Sequence, residues 1–381
     1  MSIRPTVILG MSGGVDSSVA ASILVEQGYD VRGVTLQVWE EETEETRTSK
    51  RWEERGCCKV GIAKHVAKLL DIPHEVIDTR ELFQKGVIDD FTQAYLSGTT
   101  PNPCVRCNER VKFGSLYKQA QKMGADFVAT GHYAKISGKM SGGFQLGVAD
   151  DRKKDQSYFL YRISPEWLPY ILFPVGSLQK SEVWKRAEEM GLPTEELKES
   201  QEICFVTQGD YREFLKENAP ESMKPGTFVD MQGSTLGQHD GVAFYTSGQR
   251  KGLGIATGER LYVQRVIPDS NTVVLGPVEY LNSWECRIKD LNIFDKAQLT
   301  EGTQVLVKCR YASPPVSATL TWGGEDTIVL EFNVAQRALS PGQSVVIYND
   351  SGLVLGGGIL QRDQEPIQIE HKISSVERQS S

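Results

Sequence analysis

The chain has 381 residues, 39% hydrophobic and 24% charged, the composition of an ordinary globular protein long enough for two or three domains. A net charge of −8 gives no overall pull toward nucleic acid, so any such contact has to be local. No apolar stretch nears membrane-spanning length and Met1–Pro5 runs straight into a strand pattern, so a cytoplasmic protein without a membrane partner is expected, and its seven cysteines point to thiol or metal chemistry before structural disulfides.

In chain order, the apolar run Thr6–Leu9 predicts a strand, residues 10–17 (GMSGGVDS) a glycine-rich turn, and Ser17–Gln27 a helix closed by Gly28. A turn between a strand and a helix presents backbone N–H groups and a helix N-terminus to phosphate. Gly13 and Gly14 permit close approach, Ser12, Ser17 and Ser18 add hydroxyls, and Asp16 is placed to orient a metal or cap the helix. The stretch lacks the Gly-Lys-Ser/Thr ending of a Walker A loop. It resembles instead the SGGxDS loop of enzymes that split ATP into AMP and pyrophosphate. Further strands are predicted at Val31–Val38, His74–Ile77 and Phe127–Thr130, and helices at Glu53–Leu70, Glu81–Leu96 and Val111–Met123. This alternation predicts an α/β fold, a doubly wound parallel sheet over residues 1–213 with its ligand at the carboxyl ends of the strands. The turn at Gly131 follows a strand, as the Gly10 turn does, so both can reach one nucleotide.

Beyond Lys216 the pattern turns to short β runs: Gly226–Met231, Gly241–Thr246, Leu261–Ile267, Thr272–Leu275, and later Gln304–Tyr311, Ser317–Trp322, Thr327–Phe332 and Ser344–Tyr348. They predict a small β-rich central domain at 214–283, a C-terminal β-barrel at 284–365 and a polar, disordered tail at 366–381.

The second informative stretch is residues 99–108, TTPNPCVRCN. Two prolines stiffen the loop that presents Asn102, and Cys107 is expected just before a helix, whose N-terminal field would favour a thiolate. Cys104 and Cys107 form a C-x-x-C pair, open to zinc, iron–sulfur or redox roles, with no second pair to complete a zinc site. Between Cys104 and Lys122 five basic residues face one acid, either a solvated helix face or a local basic patch. Cys204 sits in a short apolar strand pattern, Ser200–Phe205, which alone suits a core cysteine; Cys286 and Cys309 are expected to fill β core. His132 suits a general base, an RNA contact or a structural role. Lys154, Asp155 and Gln156 beside aromatics suit RNA. Residues 247–254 form a basic glycine-rich turn, and Arg310, Tyr311 and Gln343 read as loop polarity. Cys57 and Cys58 have no assigned role.

Taken together, residues 10–21 (GMSGGVDSSVAA), 100–113 (TPNPCVRCNERVKF), 129–134 (ATGHYA), 154–161 (KDQSYFLY), 203–205 (ICF), 248–255 (GQRKGLGI) and 341–343 (PGQ) resemble the tRNA-specific 2-thiouridylase family over nearly the whole chain. The resemblance implies a three-domain enzyme that converts the wobble uridine of tRNAs for lysine, glutamate and glutamine to 2-thiouridine. It implies that ATP with Mg2+, held by Gly10, Met11, Ser12, Gly13, Gly14, Val15, Asp16, Ser17, Leu36 and Gly131, adenylates the uracil oxygen. Cys204 would carry a persulfide delivered by a sulfur-relay protein or cysteine desulfurase, and Cys107 would act as nucleophile and close a disulfide with Cys204. Asn102, Pro103 and Cys104 would face the target base; His132, Lys154, Asp155, Gln156, Arg310, Tyr311 and Gln343 would contact tRNA. One departure is Cys104, where many members carry Asp. Cys104, Cys107 and Cys204 could then hold a [4Fe–4S] cluster instead. A ligase for a small amide-forming substrate is a further alternative.

Overall fold

The computed structural model describes residues 4–39, 60–139, 143–192, 194, 203–206, 210–255 and 258–362. Cys57, Cys58, the start of the helix expected from Glu53 and the tail 366–381 lie outside them. The first region is built on a five-stranded sheet with β1 (Thr6–Gly10) at its centre. Around it stand β2 (Asp30–Gln37), β3 (His74–Asp78), β4 (Phe127–Thr130) and β7 (Ile171–Leu172), in the order β3-β2-β1-β4-β7, while β5 (Lys135–Lys139) and β6 (Gly143–Gly147) pair as a separate hairpin. All pairings of the five-stranded sheet are parallel. The strand period of two divides β1 between two cores. Val7 and Leu9 point at α1 (Val15–Glu26), against Val19, Ala20 and Leu24, whereas Ile8 points the other way onto Leu116 and Ala120. Each of the three strand side chains is fully buried, worth about 1.5–3 kcal/mol apiece. A sheet covered on both faces needs such continuous apolar strands.

The β-rich half divides into a sheet of order β10-β11-β8-β9 and a closed six-stranded barrel, β12-β15-β14-β13-β16-β17. In the first, β8 is Gly226–Val229, β9 Thr235–His239, β10 Tyr262–Ile267 and β11 Thr272–Gly276. In the barrel, β12 runs over Asn282–Ile293, β13 Gln304–Lys308, β14 Val316–Trp322, β15 Ile328–Arg337, β16 Ser344–Tyr348 and β17 Val354–Leu360. Cys286 and Cys309 fill the barrel core with Ile288, Val307, Leu330 and Ile347. The central sheet has no separate core on its inner face: Phe228, Phe244 and Val263 join one cluster with Phe83, Phe91 and Val111 of the first region.

Three local expectations are corrected. The run Gly241–Thr246 forms a 3-10 turn at Val242–Phe244 instead of a strand. The described part of Ser200–Phe205 is also a turn, closed by Val206 N–H on Ile203 O at 3.0 Å, because Phe205 docks edge-on against Phe83 and Phe91. The helix expected from Val111 begins at Pro103: an α turn (Pro103–Arg106) runs into a π segment (Cys107–Phe113) and then an α-helix (Gly114–Met123). A second π segment, Gln84–Ile88, lies beside it, joined by Arg110 Nη1 donating to Gly86 O at 3.0 Å. π turns are rare and gather at functional sites.

Candidate functional site

Two assemblies stand at the carboxyl ends of the strands. The first is the glycine-rich turn after β1. Gly13 takes φ +76°, the left-handed region that glycine reaches without steric cost. Gly14 is the N-cap of α1 and no side chain caps the helix, so its first N–H groups are left for a phosphate of the kind that helix N-termini bind. Asp16 therefore does not cap the helix. Ser17 and Ser18 donate their hydroxyls to Gly14 O at 3.0 and 2.9 Å, and Ser12 Oγ accepts Gly14 N–H at 3.3 Å, which fixes the shape of the turn. Met11 is buried, its carbonyl accepting Thr35 Oγ1 at 2.7 Å, so the turn is tied to β2 one residue before Leu36.

Gly131, just past β4, presses on this turn. A Cβ there would stand 2.6 Å from Asp16 C and Ser17 N, so only glycine lets the two strand ends meet. Leu36, Gly131 and the whole of Gly10–Ser17 are thus brought together on three adjacent strands. Asp16 Oδ1 accepts the Tyr133 hydroxyl at 2.9 Å and Lys180 Nζ at 2.6 Å. Lys180 opens the helix Lys180–Glu189 and is 11% exposed, lying over the rings of Tyr133 and Trp184. Sequence reasoning missed Lys180; its only signal is a lysine at a helix start.

The second assembly carries the thiols. Asn102 is the N-cap of the Pro103 helix, its Oδ1 accepting Val105 N–H at 3.3 Å, with Pro103 buried at the first helical position. Cys104 is exposed and Cys107 half-buried one turn further on. Cys107 thus lies inside a helix rather than before one, and the helix-end field expected to act on it belongs to Cys104. Cys107 and Cys204 border the same apolar cluster, beside Phe83, Phe91 and Val111. Asn108 is buried and donates Nδ2 to Phe159 O at 3.1 Å. Among the described residues no three His, Cys, Asp or Glu side chains stand where they could hold a metal ion. Cys104, Cys107 and Cys204 therefore do not form a ready cluster site in this arrangement.

The barrel reaches this loop directly. Thr100 N–H donates to Pro341 O at 2.7 Å, and Gly342, at φ +92°, passes so close that a Cβ would meet Thr100 N at 2.9 Å. Gln343 follows in the same loop. The buried Tyr158 hydroxyl, beside the Asn102 side chain, donates to Ser344 O at 2.8 Å. Tyr311 is exposed beside Phe159, ring centroids 4.4 Å apart, and Arg310 donates to Ala338 O.

Several residues expected to meet RNA also make bonds within the protein. Asp155 is buried, its carboxylate accepting Ala149 N–H (2.9 Å) and the Ser157 hydroxyl (2.8 Å). Gln156 is committed to Tyr133, accepting its N–H at 2.9 Å. His132 bonds Thr130 Oγ1 at 2.8 Å and packs on Phe113 and Phe173. Burial, then the nearby Lys112, pushes its pKa well below the usual histidine value, so it is neutral and offers phosphate no charge. Lys154 is half-buried beside them. A separate cleft of about 980 Å³ opens one strand over, lined by Val38, Trp39, Asp78, Arg80, Phe83 and Lys118 among others; none of the residues expected to hold ATP, carry sulfur or contact tRNA lines it.

A parallel α/β domain with a nucleotide turn, and two β domains closing on a thiol-bearing helix, define a class: a pyrophosphate-loop protein built for chemistry at sulfur. Three family models match consecutive parts of the chain: a tRNA methyl transferase HUP domain at residues 5–208, a tRNA methyl transferase PRC-barrel domain at 212–277 and an aminomethyltransferase beta-barrel domain at 283–360. The tRNA-specific 2-thiouridylase MnmA of Clostridium perfringens is 44% identical over 363 residues, 94% of this chain and 99% of that protein. That of Acetivibrio thermocellus is 45% identical over 362 residues, again 94% and 99%. The chain belongs to the tRNA-specific 2-thiouridylase family. Among solved structures, a 4-thiouridine synthetase–RNA complex with bound ATP has 17% identity and a TM-score of 0.33, covering 57% of this chain and 51% of that one, too slight a likeness to add to the assignment. Among the described residues no helix is long and apolar enough to cross a membrane.

Proposed function

We propose that this chain is a tRNA sulfurtransferase that makes 2-thiouridine at the wobble position of tRNAs for lysine, glutamate and glutamine. The observation that supports it most is the meeting, in one α/β domain, of a nucleotide turn with a thiol helix gripped by two further domains. ATP occupies Gly10–Ser17, Leu36 and Gly131, with Lys180 adding the cation that the turn itself lacks. Mg2+ bound with ATP would neutralise phosphate charge; Asp16 is the acid at hand, its Oδ1 shared between Tyr133 and Lys180. The uracil O2 attacks the α-phosphorus and pyrophosphate leaves, because an AMP ester departs from carbon where a bare carbonyl oxygen does not.

Asn102, Pro103 and Cys104 face the splayed base, which has to leave its stack to be reached. The terminal sulfur of a Cys204 persulfide attacks C2, and AMP departs with the oxygen. The Cys107 thiolate then attacks the Cys204 Sγ, leaving sulfur on the base and a Cys107–Cys204 disulfide that an external dithiol reduces. A cysteine desulfurase or sulfur-relay protein renews the persulfide. Lys154, Arg310, Tyr311 and Gln343 contact the tRNA.

The test incubates the protein with ATP, a persulfide donor and unmodified tRNA, then analyses digested nucleosides by mass spectrometry. Wild type yields 2-thiouridine. Cys107→Ser and Cys204→Ser still release pyrophosphate with tRNA but lose thiolation by about 10³-fold or more, as removal of a nucleophile does. Product from both variants at the wild-type rate overturns the assignment.

A further inference from the structure

The turn that carries Cys107 is held from the barrel side by a carboxylate to which the chemistry above gives no task. Arg106, the residue before Cys107, donates Nη2 to Asp290 Oδ2 at 3.2 Å and Nη1 to Glu109 Oε2 at 3.0 Å. Arg162, only 10% exposed, donates Nε to Glu109 Oε1 at 2.9 Å, Nη1 to Asp290 O at 2.8 Å and Nη2 to Asp290 Oδ1 at 3.1 Å. Arg110 closes the set on Asp90 Oδ1 at 2.8 Å. Three guanidiniums meet three carboxylates, so the network balances its charge; Arg162 and Arg106 are its sheltered members, and Asp290, 52% exposed, is its outer one. Burial works against the charge on both arginines, yet Glu109 and Asp90 hold the Arg106 pKa, and Tyr161, Glu109 and Asp290 the Arg162 pKa, above the ordinary arginine value.

The backbone shows how Asp290 comes to face this way. It takes φ +51°, a left-handed conformation in which Asp and Asn are enriched among non-glycine residues. It lies where the β12–β17 ladder slips, between the pairs Lys289–Ile359 and Asn292–Gly357. Such irregularities re-aim side chains. Asn292, from the same stretch, donates Nδ2 to Tyr161 O and Ile163 O at 2.7 and 3.0 Å, gripping the backbone on both sides of Arg162. On the other side of the network, Cys107 opens the π segment, where the turn is wider than in an α-helix and its setting depends on tertiary contacts.

We infer that Asp290 is a positioning residue for sulfur transfer: through Arg106 and Arg162 the barrel sets the orientation of the turn that presents Cys107. The barrel thereby acts on the reacting thiol as well as on RNA. This rests on Cys107 as the sulfur-releasing nucleophile, and failure of that reading shows separately, as a Cys107→Ser protein that still makes 2-thiouridine.

The test compares wild type, Asp290→Asn and Asp290→Gly by single-turnover thiolation and by iodoacetamide labelling of Cys107 read at the peptide level. Asp290→Asn is expected to slow thiolation about tenfold, with KM for tRNA and ATP within about twofold, since misplacing a reacting group costs rate rather than binding. The labelling rate of Cys107 should shift by about threefold or more, a change that a loss of general stability would not produce in folded protein. Asp290→Gly keeps the left-handed backbone and removes the carboxylate, so it should match Asp290→Asn. Wild-type rates in either variant, or an effect confined to the KM for tRNA, overturn the inference. Should the Asp290 variants fail to fold, Arg106→Lys keeps the charge and loses the two-pronged reach. It should then slow thiolation and shift Cys107 labelling in the same way, and wild-type rates in that variant overturn the inference equally.

Discussion

The nucleotide turn and the thiol helix are built on opposite plans. The turn is mostly local: one strand, two glycines, a few serines and the first turn of the following helix define it, with Thr35, Gly131, Tyr133 and Lys180 as the long-range additions. The thiol helix owes its setting to distant residues: Tyr158 and Arg162 downstream, Asp290 in β12 and the Pro341–Gln343 loop of the barrel. A phosphate site has to be complete before substrate arrives, because its donors are backbone groups. A thiol that meets a base lifted out of a folded RNA can be set by the domains that also meet that RNA.

Two glycine substitutions should separate the plans, with the largest effects expected here. Gly131→Ala drives a Cβ to 2.6 Å from Asp16 and Ser17 backbone atoms, so pyrophosphate release and thiolation should fall together, by about 10²-fold. Gly342→Ala strains a residue at φ +92° and pushes on Thr99 and Thr100, so thiolation should fall while tRNA-dependent pyrophosphate release stays within about threefold. Parallel loss of both activities in Gly342→Ala would show the two assemblies to be one.

The same division explains what could be read from the residues. Thr6–Leu9 followed by glycine and then small helix formers has one physical solution, and strand, turn and helix stand where that pattern puts them. Asn102-Pro103 admits two: a stiff loop, or an N-cap with proline at the first helical position, and the second is realised because the cap bond and the burial of Pro103 favour it. Ile203–Val206 is apolar enough for a strand, yet the aromatic contacts of Phe205 hold it as a turn. Asp155 has the local look of surface charge because nothing near it in sequence shows that Ala149 N–H needs an acceptor. The Arg106–Asp290 contact spans 184 residues, beyond the reach of any periodicity.

Lys180 sharpens the comparison at the nucleotide end. If it serves the phosphate turn, Lys180→Met should raise the KM for ATP about tenfold and leave the KM for tRNA unchanged. Without ATP, the variant should lose about 1–3 kcal/mol of stability, because Asp16 keeps only the Tyr133 hydroxyl of its two partners. Adding Asp16→Asn should recover part of that loss in thermal melts. Full additivity of the two substitutions would mean that the 2.6 Å pair has no energetic weight.

The smallest effect is expected at His132, between the two assemblies. Its folded pKa lies well below 6.5, first because of burial and then because of Lys112. The unfolded chain therefore takes up a proton near pH 6.5 that the folded chain refuses. Stability contributed by the neutral ring is present above that value and is lost as pH falls below it, by at most about 1.4 kcal/mol per pH unit. Chemical denaturation of wild type and His132→Gln between pH 7.5 and 5 reads this out. The variant should lose less stability on acidification, by one proton's worth of slope. Parallel curves would mean that His132 titrates normally in the folded protein, and would return to it the charge needed to meet a phosphate.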